Sequence, residues 1–128
     1  MKKIINSPDA PKPIGPYNHA NLVPPGSSLL FVSGQACEDP KTGKLVLDSI
    51  ENETRQVMKN IGAILKEAGM DFEHVVKTTI YLKDLGNFSK MNEVYSSFFK
   101  GNYPARETIQ AAKLPLDVNV EISVIAAK

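Results

Sequence analysis

The sequence predicts a single α+β domain in which two helices cover one face of a β-sheet. A chain of 128 residues, 42% of them hydrophobic, is long enough for one core and short for two. Two segments repeat apolar residues at helical spacing, and several shorter segments have the β-branched composition and alternation of strands. Since two helices cover only one face of such a sheet, the other face must meet solvent or another subunit. The whole chain, residues 1–128, is predicted to be one domain.

Composition and charge narrow the classes of function. With 15 Lys and Arg against 14 Asp and Glu, the formal charge of +1 gives no broad attraction to nucleic acid or to anionic membranes. The longest apolar stretches, residues 29–32 and 122–127, are far shorter than the roughly 20 residues that cross a bilayer. The start of the chain lacks the residue pattern of an export signal, so we expect none, and the single cysteine, Cys37, cannot form an intrachain disulfide. We therefore expect a soluble, cytoplasmic protein.

The first third of the chain is predicted to be extended. Residues 7–25 contain six prolines, which exclude a long helix, and the run 13–17 (PIGPY) predicts a turn that presents Tyr17. Residues 28–33 are typical of a strand that ends at Gly34. A turn at 39–43 then leads to a short strand at 44–47, which suggests a hairpin.

The middle of the chain predicts two amphipathic helices around one strand. The first helix has Asp48 or Ser49 as its N-cap and Gly69 as its stop. Residues 75–82 (VVKTTIYL) form a predicted strand, residues 84–87 break the chain, and a second helix spans 88–99. The apolar positions of the first helix are Ile50, Thr54, Val57, Met58, Ile61, Leu65 and Ala68; those of the second are Phe88, Met91, Tyr95, Phe98 and Phe99.

Two further strands, at 108–113 and 118–126, are predicted at the end of the chain, separated by 114–117 (LPLD). In the last strand the even positions from 118 to 124 are apolar, whereas Glu121, Ser123 and Ile125 point to the opposite face. Because this second face mixes a carboxylate with apolar residues, we expect it to pack against neighbouring chains and to leave a polar pocket. The pattern thus favours a homo-oligomer.

Four side chains could carry chemistry, each with an ordinary structural alternative. Arg106 lies between a proline-fixed turn and a strand and could bind a carboxylate or phosphate, or form a surface ion pair. Glu121 could orient a water as a base, or simply face solvent. Tyr17 could donate into a pocket or cap apolar packing, and Asn92 could bind ligand or backbone or be an exposed helix residue.

Metals, nucleotide cofactors and covalent catalysis have little support in the sequence. Cys37 has no CxxC partner or local histidine, and His19 and His74 lack the spacing of metal ligands. The glycines at 34, 43 and 69 form no phosphate-binding motif. We predict that the protein uses no metal and no cofactor.

Six short motifs, taken together, resemble the RidA/YjgF/UK114 family over nearly the whole chain. They are 14–17 (IGPY), 31–35 (FVSGQ), 39–43 (DPKTG), 76–79 (VKTT), 104–106 (PAR) and 120–122 (VEI). The resemblance implies a chorismate-mutase-like α+β subunit of the bacillus type, with a mixed sheet and two helices on one face. It also implies a homotrimer whose active sites lie in the clefts between subunits.

The resemblance implies that the protein is a hydrolase, a 2-iminobutanoate/2-iminopropanoate deaminase that releases 2-oxo acids and ammonia. Arg106 would bind the substrate carboxylate and Glu121 would hold the hydrolytic water. Tyr17 and Asn92 would line the pocket, with Ser33 and Gly34 as backbone near the ligand. An imine carbon is already electrophilic, so that orientation and proton transfer suffice without a covalent nucleophile or metal.

The sequence departs from the family pattern at two positions and leaves other functions open. Thr108, whose backbone would contact substrate, stands where many members have cysteine, and Cys37 stands where proline is common, so substrate preference could shift. One alternative is an endoribonuclease that inhibits translation, for which the near-neutral chain shows no basic track or stacking platform. Another is a non-catalytic module that binds small carboxylates through Arg106.

Overall fold

The computed structural model describes all residues from Met1 to Lys128. It contains six strands and two α-helices, joined by turns and by short 3₁₀ helices at Phe72–His74, Leu85–Asn87 and Pro115–Asp117. In chain order the elements are β1 (Lys3–Ile5), β2 (Ala20–Leu22), β3 (Leu29–Gln35), α1 (Ile50–Glu67), β4 (Val75–Leu82), α2 (Phe88–Ser96), β5 (Ala105–Gln110) and β6 (Val120–Ala127).

Four of the strands form a mixed sheet in the order β3-β6-β4-β5. β4 pairs with β5 in parallel, whereas β6 lies antiparallel to both β3 and β4. The parallel pair is connected through α2, as a parallel connection requires a crossover. β1 and β2 form a separate antiparallel pair.

Both helices lie on one face of this sheet, which confirms the predicted α+β class. Along β4 and β6 buried and half-buried residues alternate, and the buried set from both strands joins the apolar stripes of α1 and α2 in one core. The opposite face, called here the open face, exposes 70% of Phe31 and 49% of Ile109. A single chain thus leaves large apolar side chains uncovered, and the predicted number of subunits stays a prediction.

The caps of α1 follow the sequence signals. Of the two predicted N-caps it is Ser49 whose hydroxyl accepts the backbone N–H of Asn52, while Asp48 binds the side chain of Asn52. At the other end Gly69 has a φ of +69°, which ends the helix in the left-handed region.

The hairpin predicted for residues 28–33 and 44–47 is wrong. β3 pairs with β6 instead, and residues 44–47 form only an isolated bridge, Glu38 to Leu45. The lead-in also contains an unpredicted strand, because β2 pairs with β1 at the start of the chain. A proline-rich segment can still contribute a short strand where, as in β2, its prolines lie outside the paired residues.

Several boundaries also differ from the predicted ones. β3 runs from Leu29 to Gln35 instead of 28–33, and β5 ends at Gln110 instead of 113. α2 ends at Ser96 instead of 99, because the next residues form tighter turns. β6 begins at Val120 instead of 118. β5 begins at Ala105 instead of 108, so Arg106 is inside the strand and not before it. Neither helix has the length and apolar character of a membrane span.

Candidate functional site

Arg106 lies on β5 beneath α2. Its Cα partner on β4 is the fully buried Thr78, so the arginine points to the helix face of the sheet. The guanidinium carbon lies 5.1 Å from the centroid of the Tyr95 ring and 5.6 Å from that of Phe88. Two aromatic side chains of α2 thus hold the cation by cation–π contacts.

The guanidinium has one hydrogen-bond partner in the chain, and that partner is neutral. Nη1 donates to Oδ1 of Asn92 at 2.6 Å, and no carboxylate pairs with Arg106. Burial lowers the pKa of Arg106, an effect that the nearby hydroxyls of Tyr95 and Tyr17 oppose. A partly desolvated guanidinium with most of its five N–H donors free is prepared to bind an anion with planar, bidentate geometry.

Tyr95 is held in place by Thr78 of β4. Its hydroxyl donates to Oγ1 of Thr78 at 3.0 Å, and the ring is completely buried. This burial raises the pKa of Tyr95, so the phenol stays neutral and its ring remains a stable platform for the guanidinium.

Tyr17 reaches this region because the lead-in is bound to the residues before β5. The backbone N–H of Asn18 donates to the carbonyl of Pro104 at 3.3 Å, and its side-chain amide donates to the carbonyl of Tyr103 at 2.6 Å. A turn with a bond from the N–H of Tyr17 to the carbonyl of Gly15 sets the tyrosine at this junction. The turn thus holds Tyr17 near the start of β5, close enough for its hydroxyl to raise the pKa of Arg106.

Asn92 forms a hydrogen bond with Arg106, whereas Thr108 does not. Asn92 is half-buried and binds the guanidinium directly, so it is not an unattached surface residue. Thr108 lies two residues along β5 on the same face, and its Oγ1 is buried with no hydrogen-bond partner. We call the group of Tyr17, Phe88, Asn92, Tyr95 and Arg106 the arginine half-site.

Glu121 lies elsewhere, on the open face. Its Cα partner is Tyr81 of β4, and its carboxylate rests against the backbone of Gly34. A Cβ added at Gly34 would lie 2.6 Å from Oε2 of Glu121, so only glycine allows this approach. The β3–β6 register shifts between Val32 and Gln35, which is a bulge at Ser33 and Gly34. We call Ser33, Gly34 and Glu121 the glutamate half-site.

The two half-sites cannot meet within one chain. On β4 their partners are Thr78 and Tyr81, three residues apart, and β5 and β6 flank β4 on opposite sides. Strand geometry then separates the two Cα atoms by about 14 Å, with the side chains on opposite faces. The five main cavities of the chain, of about 110 to 450 Å³, are lined by neither Arg106 nor Glu121.

Sequence reasoning missed Glu53, a fully buried carboxylate on α1. It accepts the backbone N–H of Asn119 at 2.7 Å, the Asn119 side-chain amide at 2.8 Å and the backbone N–H of Val120 at 2.9 Å. These bonds fix the start of β6 next to Glu121. The sequence does contain a signal for this buried role, because Glu53 is a charged residue on the apolar stripe of α1, three residues after Ile50.

Cys37 is buried and no cluster of ligands surrounds it. Burial and the neighbouring Glu53 raise the pKa of its thiol, which disfavours the nucleophilic thiolate. The chain has no group of three His, Cys, Asp or Glu side chains placed to hold a metal ion.

The sequence and the α+β fold of this chain match known proteins. The family model described as endoribonuclease L-PSP matches residues 7–128. A RutC family protein of Pyrococcus horikoshii is 48% identical over 100% of this chain and 99% of its own length. The human protein named 2-iminobutanoate/2-iminopropanoate deaminase is 43% identical over 98% of this chain and 90% of its own length.

The likeness extends to solved structures. The crystal structure of a protein of unknown function of the conserved Rid family, YyfA of Yersinia pestis, superposes with a TM-score of 0.77 at 43% identity, and the match covers 100% of both chains. The chain belongs to this family, the RidA/YjgF family, to which the endoribonuclease L-PSP model corresponds. The resemblance found in the sequence motifs is thereby confirmed, whereas the roles of individual site residues stay predictions.

Proposed function

We propose that this protein is a hydrolytic deaminase that converts small 2-imino acids, such as 2-iminobutanoate and 2-iminopropanoate, to 2-oxo acids and ammonia. The observation that carries the proposal is the half-buried guanidinium of Arg106, which lacks a carboxylate partner in the chain. A 2-imino acid supplies that carboxylate. The human relative with the deaminase name, 43% identical, supports the choice of substrate class.

Arg106 anchors the substrate by its carboxylate, with Asn92 and the two aromatic rings of α2 fixing the plane of the guanidinium. Two charge-assisted hydrogen bonds shielded from water contribute roughly 1.5–3 kcal/mol each. Because the anchor fixes the carboxylate, it also fixes the adjacent imine carbon, which is the reacting atom.

Glu121 positions the water that attacks this carbon. Water adds to the carbon of the protonated imine as the carboxylate accepts one of the water protons, giving a neutral tetrahedral carbinolamine. Glu121 then returns this proton to the amine nitrogen, the C–N bond breaks, ammonia leaves with the electron pair of that bond, and the hydroxyl loses its proton to the carboxylate to form the 2-oxo acid. Proton transfer by a positioned side chain contributes typically about 10²–10⁴ in rate.

The substrate is too small to span the two half-sites of one chain. A four-carbon imino acid is less than about 6 Å long by its bond lengths, whereas strand geometry separates Arg106 and Glu121 by about 14 Å on opposite faces. We infer that Arg106 of one subunit meets Glu121 of its neighbour in a homotrimer. Burial of the apolar residues of the open face, such as Phe31, favours this assembly.

The test generates 2-iminobutanoate in situ from an amino acid with a dehydratase or an oxidase and follows the loss of the imine. We expect acceleration by the wild type and a decrease in kcat/KM of roughly 100-fold or more for Arg106→Ala and for Glu121→Ala. Arg55→Ala is the matched control, because Arg55 is exposed on α1 and bonds only to Asn52. Its activity should equal that of the wild type.

The same preparations distinguish the alternatives. A wild type that binds 2-oxobutanoate through Arg106 and does not accelerate imine loss would be a binding module. Cleavage of RNA by the wild type that persists in Arg106→Ala would reveal an activity independent of this site. Normal turnover by Glu121→Ala would retain the reaction and overturn the water-positioning role.

A further inference from the structure

Lys2 belongs to neither half-site and makes an unusual contact. Its Nζ donates to the carbonyl oxygen of Val75 at 2.7 Å, so the side chain crosses from the β1–β2 pair to the start of β4. Val75 is fully buried and Lys2 itself is half-buried. The adjacent Lys3, the first residue of β1, is exposed.

Lys2 forms no ion pair. The ion pairs of the chain use Lys77 with Glu107, Lys83 with Asp117, and His74 with Asp71. Removing an ammonium group from water without a paired anion favours the neutral amine. Accordingly, burial lowers the pKa of Lys2 to about 8, although the more distant charge of Glu73 opposes the shift.

Space for a small group adjoins Lys2. A cavity of about 220 Å³ is lined by Met1, Lys2, Ile4, Glu73 and Asn102. A second cavity of about 110 Å³ also borders Lys2 and includes His74. A neutral amine that donates one hydrogen to the Val75 carbonyl keeps its lone pair free to react toward such a space.

We propose that Nζ of Lys2 is a modification site that accepts small acyl groups from activated acyl donors, namely acyl phosphates and acyl thioesters. The nitrogen lone pair attacks the acyl carbon and a C–N bond forms. The C–O bond of an acyl phosphate or the C–S bond of a thioester breaks, and phosphate or thiolate leaves with the electron pair. The nitrogen loses one proton to solvent, and the product is a neutral amide.

The environment favours this product over other amine adducts. A carbamate formed from CO₂, or an imine formed with a 2-oxo acid, would bring a negative charge next to Glu73, which lines the same cavity. An acyl amide adds no charge and can still donate its N–H to the carbonyl of Val75.

The experiment treats the folded protein at pH 8 with acetyl phosphate and, separately, with acetyl-coenzyme A. Tandem mass spectrometry of the N-terminal peptide then scores Lys2, Lys3 and the Met1 α-amine individually. About half of an amine with a pKa of about 8 is neutral at this pH, against less than about 1% of an ordinary lysine with a pKa near 10.4. Since less basic nucleophiles are intrinsically weaker, we expect a net preference of about fivefold or more for Lys2 over Lys3.

Two further measurements link the preference to the fold. In urea the rates at Lys2 and Lys3 should become equal, because burial is lost. In folded Glu73→Gln the rate at Lys2 should rise, because the charge that stabilises the ammonium is removed. Reaction with only one donor would identify the donor class. Equal or slower modification of Lys2 than of Lys3 in the folded wild type would overturn the proposal, as would a preference that persists in urea.

Discussion

Mixing two inactive variants should restore activity if Arg106 and Glu121 act from different subunits. Arg106→Ala leaves the glutamate half-site intact, and Glu121→Ala leaves the arginine half-site intact. These half-sites lie on opposite faces of one sheet, about 14 Å apart by strand geometry. An oligomer that contains both variants therefore forms some interfaces at which an intact arginine faces an intact glutamate.

The size of the recovery follows from random assembly. In an equimolar mixture, the subunit that contributes the arginine is intact with a probability of one half, and so is the neighbour that contributes the glutamate. About one quarter of the sites are then complete, whether the closed oligomer is a dimer or a trimer. The two variants are unfolded together in urea, refolded, and assayed for 2-iminobutanoate loss per subunit.

The expected activity is about one quarter of the wild type, against a negligible value for each variant refolded alone. The control mixes wild type with the double variant Arg106→Ala/Glu121→Ala, where again about one quarter of sites pair two intact partners. Failure of the two single variants to complement, in preparations where this control does reach a quarter, would refute the assignment to different subunits. A single-chain site would give a half in the control.

Three other predictions concern positioning and stability. Gly34→Ala should lower kcat by about tenfold or more with little change in the free energy of unfolding, because the added Cβ, 2.6 Å from Oε2, displaces only the flexible end of Glu121. An unchanged kcat would contradict the idea that contact with Gly34 positions the Glu121 carboxylate. Glu53→Ala should lower the free energy of unfolding by about 3–5 kcal/mol, and Glu53→Gln by less, since alanine leaves the buried N–H donors of Asn119 and Val120 without an acceptor. Urea denaturation measures both losses, and equal losses would contradict this role of Glu53. Because the pKa of Lys2 falls from 10.5 to about 8 on folding, the folded state binds fewer protons between these pH values, so the free energy of unfolding should rise from pH 8 to pH 10. Urea denaturation over this range should show a smaller rise for Lys2→Met, and a profile identical to that of the wild type would contradict the prediction.

The features that the sequence predicted correctly are those with local causes. The helix spacing of α1, its Ser49 cap and the alternation of β4 and β6 depend on neighbouring residues, and all three are present in the fold. Strand pairing is not local. The local pattern of residues 28–33 predicts one arm of a hairpin, but their partner is β6, more than ninety positions later along the chain.

The candidate site shows the same division. Arg106 and Glu121 could be selected as chemically capable residues, but their separation on opposite faces follows from the order of β5, β4 and β6 in the sheet. The aromatic support from Phe88 and Tyr95 was visible only as part of an apolar stripe. The spacing of apolar residues along a helix or strand identifies which residues are buried, but it does not identify the residues that they contact.

If Arg106 and Glu121 act from different subunits, as proposed, catalysis should depend on protein concentration. A subunit released by dilution would retain the guanidinium that binds a carboxylate, held by Asn92, and would lack the neighbour's glutamate that activates water. It would sequester its substrate without consuming it, so the specific activity should fall as the oligomer dissociates. The rate of imine removal would then measure the fraction of the protein that is assembled, and a newly folded chain would be inactive until it associated with another subunit.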